Sequence, residues 1–406
     1  MNTLLAPLWE ISEFEEIQKQ LDKENGCVAL TGCIESQKLH MAYGLSEGRF
    51  QNRIFVTYSD QRIKELLEDE RFYDREVVVY PSRDLIFYQA DIHGNQLTKE
   101  RIKTLRRILE GKPATVITTF SSLMAPQLSL DIWKQYLLHI DGKSIIDEKA
   151  MALRLVEMGY EKTYQVETPG QFSERGGIVD IFPPSSSAPC RIELWGDTID
   201  SISRFDLDTQ RRTDPLDEIR ISPAGEVLFD SADELCGRIE ALSKKLRGKN
   251  AEGVRERLSA DVAKMRGGVN LNAVDKYFPL CYSEEATVFD YSNAVFVCEN
   301  VSAKENYRAV ALQHAEDLKI LTEEKKLCKG LDRYMLTKNE LYSELESRTS
   351  VYFDTFIRGG GMELGLMLDV QSAVQTSPWS GEYAVLRSEL DNYLSMKFAC
   401  MIFSGT

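Results

Sequence analysis

The sequence predicts an α/β fold in which a domain built on a parallel sheet is interrupted by a small α+β insert. In the first third of the chain, short apolar runs alternate with polar or amphipathic stretches of helical length, which is typical of parallel α/β domains. From about residue 137 the pattern changes to short period-2 runs bounded by Pro, Gly and Ser, and after Pro223 long helical stretches return. The chain has 406 residues and can form more than one core, since a single core seldom grows past about 250–300 residues.

Residues 1–136 are predicted to form the first half of the α/β domain. Its expected strands are the apolar runs at residues 28–30, 54–58, 77–80 and 115–119. An amphipathic helix is predicted before them, because one helical face carries Trp9, Ile11, Phe14, Ile17 and Leu21. This helix is expected to stop at Asn25-Gly26 and to pack on the edge of the sheet.

Residues 137–223 are predicted to form the inserted α+β domain. A helix is expected over residues 147–158, with Asp147 as its N-cap and Gly159 at its end. The clearest strands are residues 191–195 and 198–202, which alternate in polarity on either side of Gly196-Asp197. A Gly-Asp pair between alternating runs predicts a tight hairpin.

Residues 224–345 are predicted to form the second half of the α/β domain, with a strand at residues 294–298 and a long helix at residues 302–324. The two halves are therefore expected to reunite in space. Residues 346–406 are predicted to start a further α/β domain, because residues 397–403 resemble a strand with no helix after it. The chain is accordingly expected to be part of a longer polypeptide.

Composition excludes several classes of protein. A formal charge of -15 repels a phosphate backbone, so nucleic acid is not expected to be the main partner, although basic clusters lie at residues 99–107 and 244–249. The eight cysteines form no CxxC pair and the four histidines are scattered, so no metal site is predicted. No signal peptide or uncharged membrane-length run is present in the sequence, which predicts a cytoplasmic protein.

A degenerate phosphate-binding loop is predicted between the first strand and the following helix. Gly32 and Lys38 lie at this junction, but Gln37 replaces the second glycine of the motif and Leu39 replaces the hydroxyl residue that holds magnesium. The remaining lysine is a weak phosphate ligand by itself, and Glu35 adds a repelling charge. We therefore expect no catalytic residues and no cofactor in this chain.

The segment at residues 153–212 closely resembles the insert shared by UvrB and the bacterial transcription-repair coupling factors (Mfd). The matching residues include Gly170-Gln171-Phe172, the run from Arg175 to Pro183, Arg191-Ile192-Glu193 and Ile199-Asp200-Ser201-Ile202. Weaker similarity extends over nearly the whole chain. The degenerate loop favours the UvrB-like front end of a coupling factor over UvrB itself, so the resemblance implies a degenerate RecA/helicase-like domain carrying the insert.

The resemblance implies UvrA as the partner, with Arg175, Arg191 and Trp195 as the UvrA-binding residues. Strand alternation places Arg191, Glu193 and Trp195 on one face and Ile192 on the other. Arg and Trp are frequent in interface hot spots, so an exposed patch of all three site residues is expected. Alternatively, Arg175 could be a turn arginine, Trp195 could lie in the core, and Glu193 could orient Arg191.

The resemblance also implies what lies beyond this chain. Coupling factors bind RNA polymerase and DNA through downstream domains, and their downstream translocase motor uses ATP and magnesium. The present chain is expected to be monomeric, not bound to a membrane, and a binding module for UvrA. Two other readings remain: an active UvrB-like nucleotide-dependent enzyme and a DNA-binding accessory domain.

Overall fold

The computed structural model describes residues 4–82, 92–229, 231–248, 251–267, 271, 274–281, 286–354, 365–370, 381–400 and 402. The first third alternates strands and helices as the sequence predicts. After a 3-10 turn at Ala6–Glu10, its elements are α1 (Phe14–Leu21), β1 (Cys27–Thr31), α2 (Glu35–Ser46), β2 (Asn52–Thr57), α3 (Asp60–Glu70), β3 (Val78–Tyr80), α4 (Ile92–Leu109), β4 (Ala114–Thr119), α5 (Phe120–Leu123) and α6 (Leu130–Gln135).

The middle of the chain is rich in short strands. Its elements are β5 (Leu138–Asp141), α7 (Glu148–Glu157), β6 (Glu161–Lys162), β7 (Gln171–Arg175), β8 (Ile178–Ile181), β9 (Cys190–Trp195), β10 (Thr198–Phe205), β11 (Arg212–Pro215) and β12 (Glu218–Ile221). Asp147 caps α7, since its side chain accepts a hydrogen bond from the Ala150 backbone N–H at 2.9 Å. The predicted cap of this helix is confirmed.

Long helices return in the last part of the chain. Its elements are α8 (Ala232–Lys245), α9 (Ala251–Arg266), α10 (Phe278–Cys281), β13 (Ala294–Val297), α11 (Asn300–Glu323), α12 (Lys338–Glu346), β14 (Thr349–Phe353), β15 (Leu366–Asp369) and α13 (Tyr383–Ser395), with 3-10 turns at Val274–Tyr277 and Val288–Tyr291.

A seven-stranded sheet organises both ends of the chain, in the order β15-β1-β14-β13-β2-β4-β3. All of its strand pairings are parallel. The central strands β2, β4 and β13 are almost wholly buried, as expected where helices cover both faces of a parallel sheet. The α/β class with a parallel sheet is confirmed.

The segment after residue 345 differs from the prediction of a further domain. Strand β14 lies between β1 and β13, and β15 pairs with the other side of β1. Both strands therefore belong to the seven-stranded sheet, because the buried run of β14 fills a central position in it. The predicted strand at residues 397–403 also differs, since residues 398–400 follow α13 as coil; residues 401 and 403 lie outside the described residues.

The inserted segment forms its own six-stranded sheet in the order β11-β10-β9-β8-β7-β6. The β9–β10 hairpin turns at Gly196, whose φ of 64° is in the left-handed region that glycine adopts without strain. Strands β5 and β12 pair with each other at the entrance and exit of the insert. Because the insert begins and ends on neighbouring strands, the chain returns after it to the same seven-stranded sheet.

A buried arginine joins α4 to the chain directly after the insert. Arg101 Nε lies 2.8 Å from Glu226 Oε1, and its terminal nitrogens donate to the Pro81 carbonyl oxygen at 2.7 Å and the Tyr80 hydroxyl at 2.5 Å. Arg101 and Glu226 are both buried. The basic cluster at residues 99–107 therefore contributes this cation to the protein interior and not to an open basic surface.

Candidate functional site

The two faces of the inserted sheet have different chemistry. Along β9, Ile192 is buried in the main apolar cluster with Val179 of β8, as the alternation of the sequence predicts. The opposite face carries Arg191 and Trp195. Directly opposed residues on antiparallel strands share a face, so the pairing of Asp180 with Arg191 adds a carboxylate to this same surface. We call this the polar face of the inserted sheet.

Asp180 organises the polar face. Its side chain is fully buried, and its two oxygens lie 2.7 Å from Arg191 Nε and 2.9 Å from Arg191 Nη2. Arg175 Nη2 approaches the same carboxylate at 3.4 Å. A buried carboxylate needs such partners because desolvation of an unpaired charge is costly. Asp180 therefore fixes the positions of both predicted site arginines.

Arg191 is less open than the sequence predicts. Only 13% of its side chain is exposed. Besides the fork to Asp180, its Nη1 donates to the Gln210 carbonyl oxygen at 3.1 Å, and its guanidinium lies 4.7 Å from the ring centroid of Phe205. The hydrogen bond with Asp180 raises the pKa of Arg191. The expected patch of three exposed side chains is thus wrong for Arg191, because neighbouring strands supply partners that cover it.

Trp195 and Arg175 remain open to solvent. Trp195 is 84% exposed, so it lies outside the core. The Arg175 side chain is 40% exposed and is held where β7 turns into β8 through Gly176-Gly177, both of which have positive φ. A two-residue turn of this kind suits glycines because both positions require left-handed backbone. These two side chains are available to a partner.

Glu193 has a different role from the one considered in the sequence. Its carboxylate lies 2.8 Å from Arg212 Nη1 and accepts a hydrogen bond from Ser201 Oγ at 2.9 Å. Asp180, and not Glu193, orients Arg191. Asp180 lies within the matching run from Arg175 to Pro183, and its role was not predicted from the sequence. An aspartate inside the otherwise apolar run Ile178–Ile181 was the available signal, because such a residue requires a partner on a neighbouring strand.

The degenerate phosphate loop lies between β1 and α2, as expected. At Gly32, which has a φ of 78°, an added Cβ would meet Asp369 Oδ1 at 2.7 Å. Thr31 Oγ1 donates to the same carboxylate oxygen at 2.9 Å. The end of β15 therefore approaches this loop and brings a negative charge to the position beside its glycine. Such a charge opposes phosphate binding.

The remaining loop residues are held inside the protein. Lys38, Gln37 and Leu39 are all buried on α2. Lys38 Nζ lies 2.6 Å from Glu35 Oε1, so its charge is already paired. Position 39 offers an apolar side chain where the motif needs a hydroxyl. Positions 37 to 39 therefore provide the loop with neither a solvent-exposed cation nor a magnesium ligand.

A network of ion pairs connects this loop to the neighbouring strands. Arg62 Nη2 lies 2.7 Å from Glu35 Oε2, and Arg62 Nε lies 2.8 Å from Glu299 Oε1. The second oxygen of Glu299 accepts a hydrogen bond from Thr57 Oγ1 at 2.6 Å. Glu299, the acidic residue that follows β13, is therefore bound to an arginine of the protein itself.

In the described part of the chain, no group of three or more His, Cys, Asp or Glu side chains is placed to hold a metal ion. The cysteines are free thiols, and all but Cys27 and Cys400 are buried. No helix among the residues that the structure covers is long and apolar enough to cross a membrane.

The inserted segment is similar to a known class of interaction domain. Residues 138–226 match the family model described as the UvrB interaction domain. This match contains β6 through β12 and therefore the whole polar face with Arg175, Asp180, Arg191 and Trp195. Its bounds lie close to the predicted insert at residues 137–223.

The chain as a whole is similar to several transcription-repair-coupling factors. It is 28% identical over 342 residues to that of Bacillus subtilis (strain 168), covering 82% of this chain and 29% of the relative. It is 24% identical over 412 residues to that of Staphylococcus epidermidis (strain RP62A), covering 98% and 34%. A Staphylococcus aureus relative (strain bovine RF122) is 24% identical over 417 residues, covering 100% and 35%. The chain spans about a third of the length of these curated relatives.

Proposed function

We propose that this chain is the UvrB-like N-terminal module of a transcription-repair coupling factor and that its inserted domain binds UvrA. In this role it recruits nucleotide excision repair to RNA polymerase stalled at DNA lesions. The observation that carries the proposal is the match of residues 138–226 to the UvrB interaction domain. The open Trp195 side chain on that domain adds support, because large exposed aromatic residues are frequent anchors of protein interfaces.

The rest of the coupling activity is assigned to other parts of the polypeptide. We propose that domains downstream of this module contact RNA polymerase and DNA and carry an ATP- and magnesium-dependent translocase that displaces the polymerase. This division is supported by the short span of the chain relative to its homologues. The module itself is proposed to be monomeric.

The module is proposed to have no nucleotide-dependent activity of its own. Lys38 is buried and paired with Glu35, and the Asp369 carboxylate lies against the loop glycine. Both features oppose the binding of a triphosphate, which needs an open cation and backbone N–H groups directed at the phosphates. These contacts favour the docking module over the alternative of an active UvrB-like enzyme.

A titration of the 406-residue chain with UvrA tests the docking proposal. Because loss of an aromatic anchor commonly costs about 2 kcal/mol or more, Trp195→Ala is expected to weaken UvrA binding by more than about tenfold. Tyr383 is a similarly exposed aromatic residue outside the insert, so Tyr383→Ala is the matched control and should bind normally. Unchanged affinity of Trp195→Ala would remove Trp195 from the docking site, and no binding by the unaltered chain would refute the function.

A further inference from the structure

Two large side chains beside the polar face are as open as Trp195. Ile145 is 80% exposed and Tyr164 is 83% exposed. Single exposed apolar residues are common on protein surfaces and need no explanation. A group of them along one continuous surface is more informative, because contiguous exposed apolar area marks sites of association.

Strand register places Ile145 on the same face as Trp195. Ile145 forms an antiparallel bridge with Thr198, and Thr198 is paired with Trp195 across the β9–β10 hairpin. Directly opposed residues share a face with Cβ atoms about 4.5–5.5 Å apart, so these three side chains form one row. The adjacent Ile146 is buried in the main core, which agrees with an outward direction for Ile145.

Tyr164 extends the surface on the β7 side of the sheet. The Arg175 guanidinium lies 5.5 Å from the centroid of the Tyr164 ring, within reach of a cation–π contact. Arg175 also donates a hydrogen bond to Asp180 at 3.4 Å, so both the carboxylate and the phenol ring contact its guanidinium. At the end of the strands where both turns lie, the surface therefore carries Tyr164 beside Arg175 on the β7 side and the Trp195–Ile145 row on the β9–β10 side.

We propose that Ile145 and Tyr164 contact UvrA together with Arg175 and Trp195, so that the docking surface is a strip with apolar ends and a cationic centre. The proposal rests on the proposed function and deepens it. The proposal requires a complementary surface on UvrA, with apolar pockets for the two ends of the strip and an acidic group for Arg175. Such an arrangement combines apolar anchors with one charge that fixes their orientation.

The test compares single variants of the 406-residue chain in a titration with UvrA. Ile145→Ser and Tyr164→Ser are each expected to raise the dissociation constant about tenfold, since each removes a large contact from the strip. Leu153→Ser is the matched control, because Leu153 is 64% exposed on α7 and that helix buries Met151 and Leu155 against the core side of the insert. This control is expected to bind as the unaltered chain does.

The outcomes separate this inference from the function on which it rests. Normal affinity of Ile145→Ser and Tyr164→Ser, with weakened binding by Trp195→Ala, would overturn the extended strip and leave UvrA docking in place. Equal weakening by Leu153→Ser would also overturn it, because the effect would not be confined to the strip. Failure of the unaltered chain to bind UvrA would remove both proposals. Tyr164→Phe, which keeps the ring, is expected to restore most of the affinity lost in Tyr164→Ser.

Discussion

Substitution of Arg191 by alanine is expected to destabilise the inserted domain, although the sequence places this residue on an outward face. The change removes both short contacts to the fully buried Asp180 carboxylate, at 2.7 and 2.9 Å, and leaves only Arg175 at 3.4 Å. Breaking a buried ion pair by removing one partner typically costs about 3–5 kcal/mol. Because Arg191 keeps some contact with water, we expect the lower end, about 3 kcal/mol.

Urea unfolding of the chain, followed by circular dichroism, measures this loss. Trp195→Ala is the control and should shift the free energy of unfolding by no more than about 0.5 kcal/mol, because its side chain is outside the core. The paired change Asp180→Leu with Arg191→Met should recover most of the lost stability, since an apolar pair can replace a buried ion pair at little cost. An Arg191→Ala chain as stable as the unaltered one would refute the assignment of Arg191 to an internal ion pair.

Three other predictions concern the α/β domain. Burial raises the pKa of Glu70 well above its usual value. The stability that the protonated Glu70 contributes is therefore greatest below the unfolded pKa of about 4.3 and is lost as pH rises through the higher folded pKa. Glu70→Gln should lose less thermal stability between pH 5 and pH 8 than the unaltered chain, and equal losses would contradict this. Arg101→Ala should cost about 3–5 kcal/mol in urea unfolding because it leaves Glu226 buried without its cation, and a loss below about 1 kcal/mol would be inconsistent with the buried pair. Calorimetric titration with magnesium and ATP should give no binding, whereas turnover that disappears in Lys38→Ala would show a working loop.

Local patterns in the sequence were sufficient for the α/β class and for much of the candidate site. The parallel strands β1 to β4 were predicted from apolar runs, and α7 from its cap and C-terminal glycine, because these signals depend on neighbouring residues alone. The outward direction of Trp195 was also predicted, since strand alternation fixes which side of a sheet a residue occupies. The UvrA-contacting role of the site residues stays a prediction.

Features that depend on distant parts of the chain were not predicted. The burial of Arg191 depends on Asp180 in the neighbouring strand and on Phe205, neither of which is specified by alternation within β9. In the same way, the position of β14 between β1 and β13 depends on pairing between residues far apart in sequence, so its run was predicted to start another domain. In both cases the missing information is the pairing between strands, which local propensity does not specify.

Competition with UvrB for UvrA tests the central claim most directly, because the claim is that the inserted domain uses a UvrB-like docking surface. We expect increasing amounts of the 406-residue chain to displace labelled UvrB from UvrA, and Trp195→Ala to require more than about tenfold higher concentration for the same displacement. Tyr383→Ala should displace UvrB as the unaltered chain does. A complex in which UvrA holds UvrB and this chain together, with no displacement at saturation, would contradict the claim.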